Sequence, residues 1–299
     1  MRSLHKYMRA IGFSSFPNRK ALKKLLTEVV VNSTERAYTT GPDGILIGEF
    51  RKDFAENMGI AVCGEFDEED DDKFIYDYYY PYLRGTGVTT TEDVSVERHA
   101  EKESYAGVCD DIKVGVSLIF YLQNRIPYVK AQAQGKLPIR GTTLTLSALS
   151  VKGTVMMPIQ KNEYQRKKIQ KESRNRNNLI AAARRGDEDA IETLTLEDMD
   201  MYTTISKKIQ KEDVFSLVDT YCMPYGVECD QYSILGEITS CRTVKNRLTG
   251  EDIYQMTVYC NELSFDLCIN TEDLYGEPEV GRRFKGIIWL QGFINFPEI

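Results

Sequence analysis

Leu22, Leu25, Leu26, Val29 and Val30 recur at i, i+3, i+4, i+7 and i+8. That spacing lines one face of a helix and predicts one here. Pro17 suits its first turn, and Asn32 and Ser33 mark its end. Beyond it the apolar period shortens to that of strands: after the turn Gly41, Pro42, Asp43, Gly44 come candidate strands at 45–50, 59–66, 74–82, 113–122 and 142–157. Near Ile159 the strand formers give way to a polar stretch, 161–186, rich in Lys, Arg, Gln and Asn. Gly186 reads as a helix terminator, Asp187 as the N-cap of the next helix, and Thr195 with Asp198 as the polar half of a further capping box. Several short helices are therefore expected up to Tyr221, where Pro224 and Gly226 break the pattern.

The clearest pattern is C-terminal. Tyr254, Met256, Val258 and Cys260 alternate with polar or smaller neighbours, as do Leu263, Phe265, Leu267 and Ile269, and each set gives a strand one buried face. Ile234, Gly236 and Ile238 supply a strand before them; Phe284, Gly286, Ile288 and Leu290 supply one after. A hairpin signal joins the first two at Lys245, Asn246, Arg247, Leu248, Thr249 and Gly250. Four such strands predict a small antiparallel β-barrel resembling an oligonucleotide/oligosaccharide-binding (OB) fold, with the fifth strand not evident. The expected architecture is α+β: a strand-rich N-terminal α+β domain over 1–159, a helical connector with a basic face over 160–229, and the OB-like barrel over 230–299.

Composition narrows the function. At 299 residues with a formal charge of −7, the chain is long enough for more than one core and repels polyanions on average. The most apolar run, 114–122, is far shorter than the roughly 20 residues of a membrane span, so no membrane association is expected. Seven cysteines, an odd number without close Cys-x2-Cys pairs, point to reduced thiols in a cytoplasm rather than a disulfide framework or a zinc site. No phosphate-cradling glycine motif is present, so no metal and no cofactor is expected.

Three segments are distinctive: HKYMRAIGFS at 5–14, DTYCMPYGVECDQYSILGEI at 219–238, and GEPEVGRRFKGIIWLQGFI at 276–294. On them the chain resembles a family of anaerobic Gram-positive bacteria described only as a domain of unknown function. The resemblance implies a cytosolic bacterial protein and supplies no activity, ligand or catalytic residue.

Candidate sites follow from charge and aromatics. Lys161, Arg166, Lys167, Lys168, Lys171, Arg174, Arg176, Arg184 and Arg185 face only Glu163 and Glu172 within 161–186, a basic patch able to bind RNA or DNA or to dock on the acidic run at 65–72. Nucleic acid is disfavoured by the net charge and by the lack of stacking aromatics beyond Tyr164. Tyr76, Tyr78, Tyr79, Tyr80 and Tyr82 form a cluster suited to a core edge or an interface, with Tyr78 and Tyr80 the interface candidates. Trp289, opposite in phase to Ile288 and Leu290, is placed on the outside of the barrel against the preceding domain. For catalysis only Arg84, His99, Asp110 and Asp111 stand out, with no partner pattern, and no catalytic residue is assigned. The expected function is non-catalytic binding or scaffolding with a protein partner, ahead of nucleic-acid binding and of an enzyme with a site in the N-terminal domain.

Overall fold

A computed structural model describes residues 4–297 apart from 16–18, 42–43, 68–72, 93, 99–104, 112–116, 138–140, 160–162, 210–214, 216–217 and 227–228; within helices it describes 163–170, 173, 201, 204–206 and 208–209 by backbone alone. The chain opens with a 3-10 turn, Lys6–Ile11, and α1, Arg19–Val31. Four strands follow: β1 Glu35–Thr40, β2 Leu46–Ala55, β3 Met58–Phe66 and β4 Phe74–Leu83. Next come β5 Val94–Arg98, β6 Tyr105–Cys109, β7 Leu118–Leu122, α2 Arg125–Ala133 and β8 Thr143–Met156. Two long helices, α3 Glu163–Arg184 and α4 Glu188–Ile209, lead to β9 Tyr221–Pro224, β10 Gln231–Lys245, β11 Asp252–Cys260, β12 Leu263–Asn270, β13 Leu274–Tyr275 and β14 Arg283–Asn295.

β1 to β4 form an antiparallel meander in chain order. The remaining strands form a second sheet that closes on itself through β8, β12, β11, β10 and β14, because β14 pairs with β10 along its first half and with β8 along its whole length. Register shifts at Ile238/Ser240 and Gly286/Ile288 bend β10 and β14 enough to close the barrel. At Gly286, opposite Gly153, a Cβ would lie 2.7 Å from the Phe284 ring and 2.8 Å from the Lys152 carbonyl, so only glycine lets these strands cross over that ring. β7, β6 and β5 extend the sheet from the end of β14.

The α+β class and the barrel stand as the sequence predicts, but the barrel is not confined to 230–299. Its missing strand is β8, parallel to β12 and antiparallel to β14, so the boundary drawn near Ile159 falls after a barrel strand. Numbered from β10, the strands β10, β11, β12, β14 and β8 pair 1–2, 2–3, 3–5, 5–4 and 4–1 with 3–5 parallel, which is OB connectivity with the last strand moved to the front of the chain. The connector is also corrected, from several short helices to a hairpin of two long ones. Gly186, in the left-handed region, ends α3, and Asp187 caps α4 by accepting from the Ala190 amide. Thr195, expected to begin a helix, instead donates to the Ile191 carbonyl within α4.

Two cores result. One fills the barrel with Leu146, Ile234, Val258, Leu267, Phe284 and Ile288. The other lies between the meander, the N-terminal 3-10 turn and the outer wall of the barrel, joining Met8, Ile11, Leu26, Ile60, Val62 and Tyr82 to Ile253, Cys268 and Trp289.

Candidate functional site

Strands 2 and 3 of an OB barrel ordinarily present the recognition face. Here those strands are β11 and β12, and their outward side chains Ile253, Gln255, Cys268 and Asn270 are buried. The cover is the chain itself. Gln255 donates to the Glu56 carbonyl at 2.8 Å, Asn246 Nδ2 to Ile11 O at 2.8 Å, and Thr249 Oγ1 to Gly12 O at 2.7 Å. Glu251 accepts from the Ser14 amide and hydroxyl and from Asn270 Nδ2, and Arg9 pairs with Asp273. The half of the recognition face nearest the β10–β11 turn is thus spent on holding the front of the chain in place, while Tyr259 and Ser264 at its other end are exposed.

A buried polar layer crosses the same seam. Arg51 on β2 pairs with Glu49 at 2.6 Å and donates to Tyr80 Oη and the Gln123 carbonyl. Gln123 donates to Leu83 O and Gln291 Oε1, and Gln291 to Pro81 O, linking β4, β7 and β14. Burial pulls the Arg51 guanidinium down, but Glu49 and its other neighbours together hold it charged, well above its ordinary value. Cys63, 3.5 Å from Glu49 Oε2, is pushed up by burial and then by that carboxylate, and burial pushes up Cys268 likewise. Thiols held protonated in this way are poor nucleophiles. The layer is chemistry suited to rigidity.

Arg84 sits between two clefts of about 250 and 260 Å³. One lies against Ser240, Arg242 and Asp266 of the barrel; the other reaches Arg51, Thr145 and Phe293. Its guanidinium pairs with Glu35 at 2.6 Å, lies 3.6 Å from Asp53 and stacks on Tyr82, while its buried Nε makes no hydrogen bond among the described residues. Around it, charges balance: Arg242 is held by Glu56 and Gln255, and Asp266 accepts from the Thr86 amide and hydroxyl and from Thr257. Of the other candidates in the N-terminal domain, Asp110 is exposed and accepts from Ser117, Asp111 is buried, and neither lines these clefts; His99 lies outside the described residues.

The basic patch is divided. Lys161 lies outside the described residues, and Arg166, Lys167 and Lys168 belong to helix described by backbone alone. Lys171 and Arg174 are exposed on α3, whereas Arg176 reaches α4, 2.7 Å from Asp198 and 3.7 Å from Glu197. Among the described side chains Arg176 thus ties α3 to α4, and Asn177 donates to Glu262 of the β11–β12 turn; of the acidic run at 65–72, residues 68–72 lie outside the described residues. Tyr80 is buried in the polar layer and Tyr78 accepts from Arg125 Nη1 at 2.9 Å at its edge. Trp289 is buried under the N-terminal turn, stacked on Tyr7 with centroids 5.3 Å apart and donating to Asp230 at 2.6 Å.

A family model described as "Domain of unknown function, E. rectale Gene description (DUF3881)" matches residues 8–292. The chain belongs to this family. Comparison with curated proteins found no match, and comparison with solved structures found none. In this DUF3881 chain the three distinctive segments meet at one place: His5 and Tyr7 from the first and Asp230 and Gln231 from the second surround Trp289 from the third. Sequence spacing could not show this convergence, since its members lie up to 284 positions apart (289 − 5). No helix among the described residues is long and apolar enough to cross a membrane.

Proposed function

We propose that this DUF3881 protein is a non-catalytic binding or scaffolding protein of the bacterial cytosol, in which the meander and barrel form a rigid body and the α3–α4 hairpin is the arm that meets a protein partner. The observation that carries this reading is the outer face of α4. Ile191, Thr195, Met199 and Tyr202, at i, i+4, i+8 and i+11, share that face, and Ile191, Met199 and Tyr202 are 47%, 63% and 76% exposed, with Leu196 at 57% beside them. Apolar residues gathered on an exposed helix face mark an interaction surface more often than ones scattered singly. The inner face, with Ala190 buried and Leu194 half-buried, already serves α3. Seven cysteines with no disulfide among the described residues fit a reducing compartment. A photo-reactive phenylalanine analogue at position 199, compared with one at the exposed Leu248 of the β10–β11 turn, tests the arm in living cells. Protein adducts at 199 that are absent at 248 support the reading; equal adducts, or none at 199, overturn it.

A second reading, a small-molecule site at Arg84, is favoured by the unpartnered Nε between two clefts. A ligand whose thermal stabilisation of the protein disappears in Arg84→Met would support it; equal stabilisation of both proteins would remove it.

A further inference from the structure

We propose that the open half of the barrel's outer face binds an uncharged oligosaccharide, one sugar seated in the cleft beside Arg84 and Arg242 and the next on the ring of Tyr259. This rests on the reading of that cleft as a ligand site and names the class of ligand.

Strand register lays this face out as a grid. Across β10, β11 and β12 the outward side chains stand in rows, Arg242–Gln255–Cys268, then Ser240–Thr257–Asp266, then Glu237–Tyr259–Ser264, each about 7 Å from the next along the strands. The first row lies under the β2–β3 turn, where Gln255 reaches Glu56. The second floors the cleft of about 250 Å³, walled by Glu56, Asn57, Arg84 and Thr86. That is below the roughly 300–1,000 Å³ of a drug-sized pocket, so the cleft takes one ring and leaves its neighbour to the third row. There the face is open: Tyr259 is 41% exposed, no ring stacks on it among the described residues, and Ser264 beside it is exposed.

Charge decides between ligands. Burial, then the carboxylates of Glu262, Asp219 and Glu237, push the Tyr259 phenol up, which places three anions around the ring and repels a polyanion. In the cleft the carboxylates are engaged, Glu56 by Arg242 and Asp266 by Thr86 and Thr257, beside two guanidiniums, so a polycation gains nothing there. What the two rows share is hydrogen-bonding capacity. The Ser240 and Ser264 hydroxyls and the Asn57 amide make no side-chain hydrogen bond among the described residues, and carboxylate oxygens accept more than one. Sugar hydroxyls both donate and accept, and the negative face of a Tyr ring takes the C–H face of a sugar ring.

An array of short uncharged oligosaccharides of glucose, mannose, galactose and N-acetylglucosamine, probed with the full chain and followed by calorimetry on the best binder, tests this. The expected dissociation constant is below about 1 mM, and Tyr259→Ala and Ser240→Trp should each raise it at least about 10-fold. Tyr259→Phe, which keeps the ring, should change it by less than about 3-fold. Both positions are exposed, so the circular dichroism spectrum and thermal midpoint of these variants should match the wild type. No binding by any sugar of the array, or binding that survives both Tyr259→Ala and Ser240→Trp, overturns the proposal. Oligothymidylate and spermine serve as charged comparisons. If either binds and is lost in Arg84→Met while no sugar binds, the oligosaccharide is overturned and the ligand site at Arg84 stands.

Discussion

Trp289 stacks on Tyr7, their ring planes 23° apart, so a residue near the end of the chain is covered by one near its beginning. His5 and Tyr121 complete the cage at 4.9 and 5.1 Å. Since Trp289 is the single tryptophan, its emission reports this seam directly. Removing residues 1–12 should shift the emission to longer wavelength, and Trp289→Ala should cost about 3–5 kcal/mol of stability in urea titrations. Unchanged emission after the truncation would mean that the N-terminal turn does not cover the ring.

The Glu49–Arg51 pair on β2 is buried on both sides, and such pairs are costly to break but often replaceable as a whole. Glu49→Leu or Arg51→Met alone should lower stability by about 3–5 kcal/mol, because each strands a buried charge. The double variant should lose less than the sum, although the Tyr80 hydroxyl and the Gln123 carbonyl then lose the Arg51 donor. Strict additivity in the cycle would show that the two residues do not act as a pair.

How far the sequence disclosed this arrangement depends on the range of the contact. Strands with a clean period of two, such as β11 and β12, and the helical stripe of α1 are written locally. The partner of β12 is not, because β8 joins it from more than a hundred positions earlier, and an apolar run like 143–156 looks the same whether it completes a barrel or a separate sheet. β1, with Glu35, Arg36 and Tyr38 on a half-exposed edge, lacks the alternation that would reveal it. Glu49 and Arg51 share one phase of β2 and resemble a solvated face, yet both are buried, with Arg51 bonded to the Tyr80 hydroxyl and to the Gln123 carbonyl between β7 and α2. Trp289 was legible by phase alone, but Tyr7 and Asp230 were not, since nothing near them in sequence names their partner.

The buried thiols give the stability a pH dependence of definite sign. Burial pushes up Cys268, and burial followed by Glu49 pushes up Cys63, so the folded chain keeps these protons after the unfolded chain has begun to lose them. Their contribution is complete below the ordinary thiol value and is lost as pH rises from there toward the folded values. Tyr80, Tyr121 and Tyr232, all raised chiefly by burial, extend the loss into the phenol range. The urea midpoint should therefore fall between about pH 8 and pH 10, and fall less steeply in Cys63→Ala, Cys268→Ala. A midpoint independent of pH over that window, or an identical slope in the variant, would contradict the assignment.

The strongest consequence of the barrel topology concerns where the chain can be cut and rejoined. Asn295 at the end of β14 is the antiparallel partner of Thr143 at the start of β8, so a turn of about two to five residues suffices to join them. A chain running 230–295, a short turn, then 143–157 contains all five barrel strands in ordinary OB order, whereas 230–299 alone leaves β12 and β14 without their shared neighbour. Ile253, Cys268 and Trp289, which lose their cover in either fragment, are replaced in both by Thr, Ser and Thr to prevent aggregation. The rearranged chain should give a dispersed amide spectrum and a cooperative thermal transition, and 230–299 should give neither. If 230–299 were equally well ordered, β8 would be an accessory to the barrel rather than its fifth strand.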